Sequence, residues 1–94
     1  MKKYFYVTVI DRVMNVPQVF DTLEEARSKM RQDFIYYAEK DSRLDEIKED
    51  SGIDLRIHDV CEEFEDCGIA EKSAWVNNTY NHTNWDAHIF EVEV

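Results

Sequence analysis

Tyr4-Phe5-Tyr6-Val7-Thr8-Val9-Ile10-Asp11 sends every second side chain the same way. Phe5, Val7 and Val9 face one side, and Tyr4, Tyr6, Thr8 and Ile10 face the other. Aromatic and β-branched residues fill the run, so it reads as a strand that can bury at least one face. Next along the chain, Met14-Asn15-Val16-Pro17 can turn it, and Gln18-Val19-Phe20 can return as a short edge strand, where Pro17 is tolerated. Asp21-Thr22-Leu23-Glu24-Glu25 then reads as a helix start. Thr22 followed three residues later by Glu25 makes a capping box, and early carboxylates suit the helix dipole. Leu23, Ala26, Met30, Phe34 and Tyr37/Ala38 keep a three/four spacing. The result is one apolar stripe on a helix of about 17 residues, roughly 25 Å long.

The second half is less regular. Ser42 with Asp45 signals another helix start, Leu44 and Ile47 are three apart, and Ser51-Gly52 supplies a stop. Ile53, Leu55 and Ile57 alternate with Asp54, Arg56 and His58, which predicts a strand or extended edge. Val60, Cys61, Phe64 and Cys67 show helical spacing instead, leaving 59–67 open between helix and strand. Lys72 to Asn77 and Asp86 to Val94 form a last hairpin across the polar loop 78–84. In its final strand His88, Phe90, Val92 and Val94 share one face, and Ala87, Ile89, Glu91 and Glu93 the other. The expected architecture is a single α+β domain over residues 1–94. It has an antiparallel sheet of about four strands, one long helix packed on one face, and a short acidic helix.

Charge is unevenly spread over this frame. The chain carries −10 in total. Residues 1–40 hold seven Lys/Arg against six Asp/Glu, whereas residues 41–94 hold four against fifteen. Leu44–Asp66 alone has ten acids, offset within the segment by Lys48 and Arg56. Such a field repels nucleic acid and anionic membranes and attracts basic protein surfaces. Twelve aromatics and 44% apolar residues provide a core, which a disordered acidic chain lacks. Neither a signal peptide nor a membrane span is visible, so a cytoplasmic location with Cys61 and Cys67 as free thiols is expected. In that setting the sequons at Asn77 and Asn81 are read as hairpin-loop chemistry.

Sharper chemistries find little support. His58, Cys61 and Cys67, with His82 and His88 elsewhere, lack the close Cys pair usual in zinc sites. No calcium loop, P-loop, dinucleotide-binding glycine pattern or nucleophile elbow occurs. Carboxylates such as Glu62 and Glu65 are plentiful, but none is singled out as a catalytic acid or base. Neither an enzyme nor a cofactor is expected. The helix cations Arg27, Lys29 and Arg31 have Glu24, Glu25 and Asp33 beside them for intrahelical pairing.

Two binding readings remain. In the first, the acidic 44–66 surface mimics nucleic acid. A duplex strand carries about one charge per 3.4 Å of axis, and this segment, as helix plus extended chain, would carry about one per 4 Å. The residues expected to bind are Asp45, Glu46, Glu49, Asp50, Glu62, Glu63 and Glu65. The partner would be a basic nucleic-acid-binding protein, for example a bacterial defence nuclease inhibited in anti-restriction or anti-CRISPR fashion. No nucleic acid or membrane would be contacted directly, and a homodimer is compatible with the chain. In the second reading the protein is a non-mimic adaptor. If the long helix covers Phe5, Val7 and Val9, then Tyr4 and Tyr6 are exposed, beside Trp85 and Ile89, as an aromatic interface. A second layer over the tyrosines would remove that interface.

The opening strand Tyr4–Arg12, the helix start Phe20–Ala26 and the closing Asn81-His82-Thr83-Asn84-Trp85-Asp86 loop resemble the small acidic proteins of unknown function in bacterial and phage genomes. That resemblance implies a shared fold more than an activity. Ile57-His58-Asp59, followed by acids and Gly68-Ile69, is similar to a segment of antirestriction proteins that mimic DNA. It spans barely a dozen residues, and the aromatic and glycine positions between do not match. It points toward mimicry.

Overall fold

The computed structural model describes residues 1–40, 42–64, 66–78 and 83–94. Its order is β1 (Lys2–Ile10), β2 (Val13–Met14), β3 (Gln18–Phe20), α1 (Leu23–Glu39), α2 (Arg43–Ser51), β4 (Glu62–Glu63), β5 (Cys67–Ile69), β6 (Ser73–Asn78) and β7 (Thr83–Glu93). The α+β class is as expected, but the antiparallel sheet has seven strands rather than about four, ordered β2-β1-β7-β6-β5-β4 with β3 also on β1. The extra strands are two- and three-residue pieces, too short for a period-2 pattern to register. The Cα extents of 43 × 27 × 16 Å leave room for two layers, sheet and helices.

Local chemistry explains each element. Asp11 and Arg12, at φ 50° and 73°, make the two-residue turn that returns β1 into β2. The Asp11 N–H donates to Asn84 O and its carboxylate accepts from the Asn84 N–H, both at 2.9 Å, tying this turn to β7. α1 matches its predicted span, with Thr22 Oγ1 accepting from the Glu25 N–H at 3.1 Å. α2 starts after Ser42 as predicted, but Ser42 is left-handed and its side chain makes no capping bond. Gly52, at φ 76°, ends the helix by donating to Lys48 O.

In the second half one reading needs correction and one left open is decided. Residues 53–58 are not an extended strand. Asp54 Oδ1 accepts from the Arg56 N–H at 3.0 Å, and Asp54 O accepts from Ile57 and His58, closing a turn. Leu55 is buried while Ile57 is exposed. Of the two alternatives left open for 59–67, strand prevails where the segment is regular, with β4 and the start of β5 joining the sheet.

A further correction concerns the covered face. α1 lies on the Tyr4/Tyr6 side. Tyr6 is 2% exposed and Trp85 1%. Register explains the choice. Tyr6 sits opposite Ile89, Thr8 opposite Ala87 and Ile10 opposite Trp85, and Ala74 and Val76 of β6 continue the row. Small Ala74 and Ala87 let the helix approach with Ala26, Met30, Phe34 and Ala38. Across the whole sheet the other face has Ser73, Asp86 and His88 in its register. β1 alone makes that face look like the core; the neighbouring strands decide otherwise.

At the far side of the sheet, Gly68 is paired with Trp75. A Cβ on Gly68 would lie 2.7 Å from Trp75 Nε1. Gly68→Ala therefore forces the indole to shift and should cost about 1–3 kcal/mol. Thermal unfolding reads this at about 4–8 °C per kcal/mol, and an unchanged melting temperature would show that Trp75 does not pack there.

Candidate functional site

The described acids predicted to bind sit on α2 and β4, not in a line. On α2, Asp45, Glu46, Glu49 and Asp50 form two rows at i, i+4 spacing opposite buried Leu44 and Ile47. Glu46 and Asp50 line a groove of about 160 Å³ with Phe64, Asp66 and Cys67, which brings the β4–β5 connection against the helix. Glu62 and Glu63 stand on β4, exposed and on opposite faces of the sheet. Glu65 lies outside the described residues.

Arginine ties consume much of the segment's charge. Arg43, 9% exposed, donates to Asp66 Oδ2 at 2.8 Å and Asn77 O at 3.0 Å, clamping α2 to the sheet. Its guanidinium is 3.9 Å from Glu46. Arg56 bridges Glu39 at 2.6 Å and Asp45 at 3.1 Å, and its Glu39 bond raises its pKa further. The Arg56 N–H, bonded to Asp54, holds that carboxyl below the usual range. Asp59 is drawn to Arg27 at 2.8 Å and Arg31 at 3.8 Å. Of the basic cluster on α1, only Lys29 pairs within the helix, with Asp33 at 3.1 Å; the two arginines reach across instead. Glu49, Asp50, Glu62 and Glu63 make no ion pair among the described residues. Within 44–66 these four are the described carboxylates left without an ion pair.

Tyr4, Tyr6 and Trp85 do not form an exposed patch. Tyr4, half-buried, donates to Glu91 at 3.1 Å. The Tyr6 hydroxyl donates to Asp33 Oδ2 at 2.7 Å, and Trp85 stacks on Tyr37 with ring centres 5.4 Å apart. Tyr6, Tyr37 and Trp85, but not Tyr4, line the inner wall of a cleft of about 430 Å³ with Lys29, Asp33 and Tyr36. Burial pushes the Tyr6 hydroxyl far above the ordinary tyrosine range, with the Asp33 bond adding to it. A phenol held protonated in this way is a structural donor rather than a base. Nothing in the sequence marked this arrangement except the i, i+4 spacing of Lys29 and Asp33.

Sequence reasoning also missed the uncovered sheet face, where Phe90 and Val19 are both 54% exposed and flank Phe5. Both cysteines are free. The Cys61 thiol accepts from Arg27 at 3.1 Å, and burial pushes the Cys67 thiol up to about 11. Among the described residues no three His, Cys, Asp or Glu side chains are placed to hold a metal ion. His82 and the loop sequon at Asn81 fall outside those residues. No helix among them is long and apolar enough to cross a membrane. No family model matches this chain, nor does any curated protein or solved structure.

Proposed function

We propose that the protein is a non-enzymatic binding module that occupies the basic surface of a nucleic-acid-handling protein, in the manner of a nucleic-acid mimic. The observation supporting this reading is the group of unpaired carboxylates Glu49, Asp50, Glu62 and Glu63 at the α2–β4 end. Evenly solvated charge would be shared with nearby cations; here the arginines are spent on Asp45, Asp59 and Asp66 instead. The surface is not a strand-like row, because Glu62 and Glu63 lie on opposite faces of the sheet, Asp54 is held against Arg56, and Asp59, though exposed, is held by Arg27. It suits a concave basic cleft better than a long groove. A bacterial defence nuclease is one such target. The adaptor reading loses Tyr6 and Trp85 to the core.

The test combines capture and competition. Protein immobilised at low salt should retain a basic DNA- or RNA-binding protein from host lysate, release it as salt rises, and compete with its nucleic acid. Reversing Glu49, Asp50 and Glu63 to Lys should weaken that complex at least thirtyfold, about 2 kcal/mol, with the circular dichroism spectrum unchanged. Equal binding by the triple variant, or a complex indifferent to salt, refutes the mimic reading.

A further inference from the structure

Among the described residues, no layer covers the face of the sheet away from α1. Phe5 sits at its centre, with Phe90 opposite on β7 and Val19 opposite on β3. Val7 and Val9 continue the row on β1, and Val92, 38% exposed, continues it on β7. A contiguous apolar surface of this kind on an otherwise highly charged chain marks an interaction site. We propose that its occupant is the same face of a second copy of this chain.

Charge favours that choice. Two chains of −10 repel wherever their acidic ends approach. The unpaired carboxylates of α2 belong to the helical layer, and β4 lies at the far edge of the sheet. Over β1 and β7 this face carries Lys3, which also pairs with Asp21, and Asp86. They stand at opposite ends, Lys3 beside Val92 and Asp86 beside Val9. A two-fold axis in the plane of the sheet and across its strands lays each Lys3 toward the partner copy's Asp86 end while Phe5 and Phe90 meet at the centre. That is an isologous contact, and aligned sheets pack this way at about 10 Å. A basic partner gains no steering from so neutral a face, and an anionic membrane is repelled by the whole chain.

Area is sufficient as well. The strands β1, β2, β3, β5, β6 and β7, about 4.8 Å apart and rising about 3.3 Å per residue, together present roughly 500 Å². Two copies then bury roughly 1,000 Å², the lower bound for a specific interface.

The experiment is sedimentation equilibrium of the full chain from micromolar to sub-millimolar concentration, at about 0.05 M and 0.5 M salt. A dimer is expected, tightening about fivefold at the higher salt as repulsion between the two acidic chains is screened. Phe90→Lys should weaken it more than thirtyfold, the scale of a central hot spot. Val19→Lys, on a different strand, serves as the second variant should the first unfold. A monomer at every concentration and both salts overturns the proposal and leaves the face to another partner. A dimer that survives both substitutions overturns it too. The acidic-patch complex weakens with salt where this one strengthens, so either proposal can fail without the other.

Discussion

Trp85→Ala is expected to lower stability by about 3–5 kcal/mol. The indole is 1% exposed, sits opposite Ile10 on one side and Val76 on the other, and stacks on Tyr37 of α1. Alanine thus removes the aromatic mass that joins β1, β6 and β7 to the helix. The space cannot close cheaply, because Ala74, Ala87, Ala26 and Ala38 already bring the layers as near as small side chains allow. A domain of this size holds about 5–15 kcal/mol in total, so the variant should unfold at markedly lower urea or be partly unfolded at room temperature. Phe90→Ala is the control. Phe90 is the same strand's outward-facing aromatic, and its loss should change the monomer's stability by less than about 1 kcal/mol. Equal effects from the two would mean that the covered face has been assigned the wrong way round.

That assignment also shows where the sequence could be read and where it could not. β1, β3, α1 and the β6–β7 hairpin carry periodicity within themselves, and each emerges near its predicted bounds. The covered face does not, because it depends on a sum over strands distant in the chain. Phe5, Val7 and Val9 outweigh Tyr4, Tyr6 and Thr8 on β1 alone, until register adds Ala87, Ile89 and Trp85 to the tyrosine side. The stretch 53–58 fails for a different reason. Its alternation is real, but Asp54 bonds its own backbone neighbourhood, and Asx-turn chemistry overrides a three-residue pattern. The acidic end was visible as composition. Which carboxylates stay unpaired was not, since Arg27 and Arg31 reach Asp59 from a helix some thirty residues away, a separation that no local rule reaches.

Raising the pH should undo the fold by a specific route. Tyr6 and Cys67 are both buried with pKa values raised by desolvation, Cys67 from 9.0 to about 11 and Tyr6 well beyond the ordinary tyrosine value. In each case the folded state holds the proton more tightly than the unfolded chain. Their contribution is therefore fully present below the unfolded pKa values, about 8.5–9 for the thiol and about 10 for the phenol, and is lost as pH rises above them. Each group removes up to about 1.4 kcal/mol per pH unit within its window. Cys67 acts between about pH 9 and 11, and Tyr6 from about pH 10 upward. Together they should take about 4 kcal/mol by pH 11.5, enough to bring a marginal domain to its unfolding midpoint. Urea midpoints measured from pH 7.5 upward should fall slowly past pH 9 and steeply past pH 10, and the Tyr6 phenolate absorbance should emerge only with unfolding. Tyr6→Phe loses the bond to Asp33 and costs about 1 kcal/mol at neutral pH, yet should flatten the decline above pH 10. Cys67→Ala should flatten it between pH 9 and 11. Were both variants to keep the steep wild-type slope, the alkaline loss would have to come from Tyr4 and Tyr37, whose pKa values are also raised, or from the lysine pairs at the surface, and Tyr6 and Cys67 would not be what couples this fold to pH.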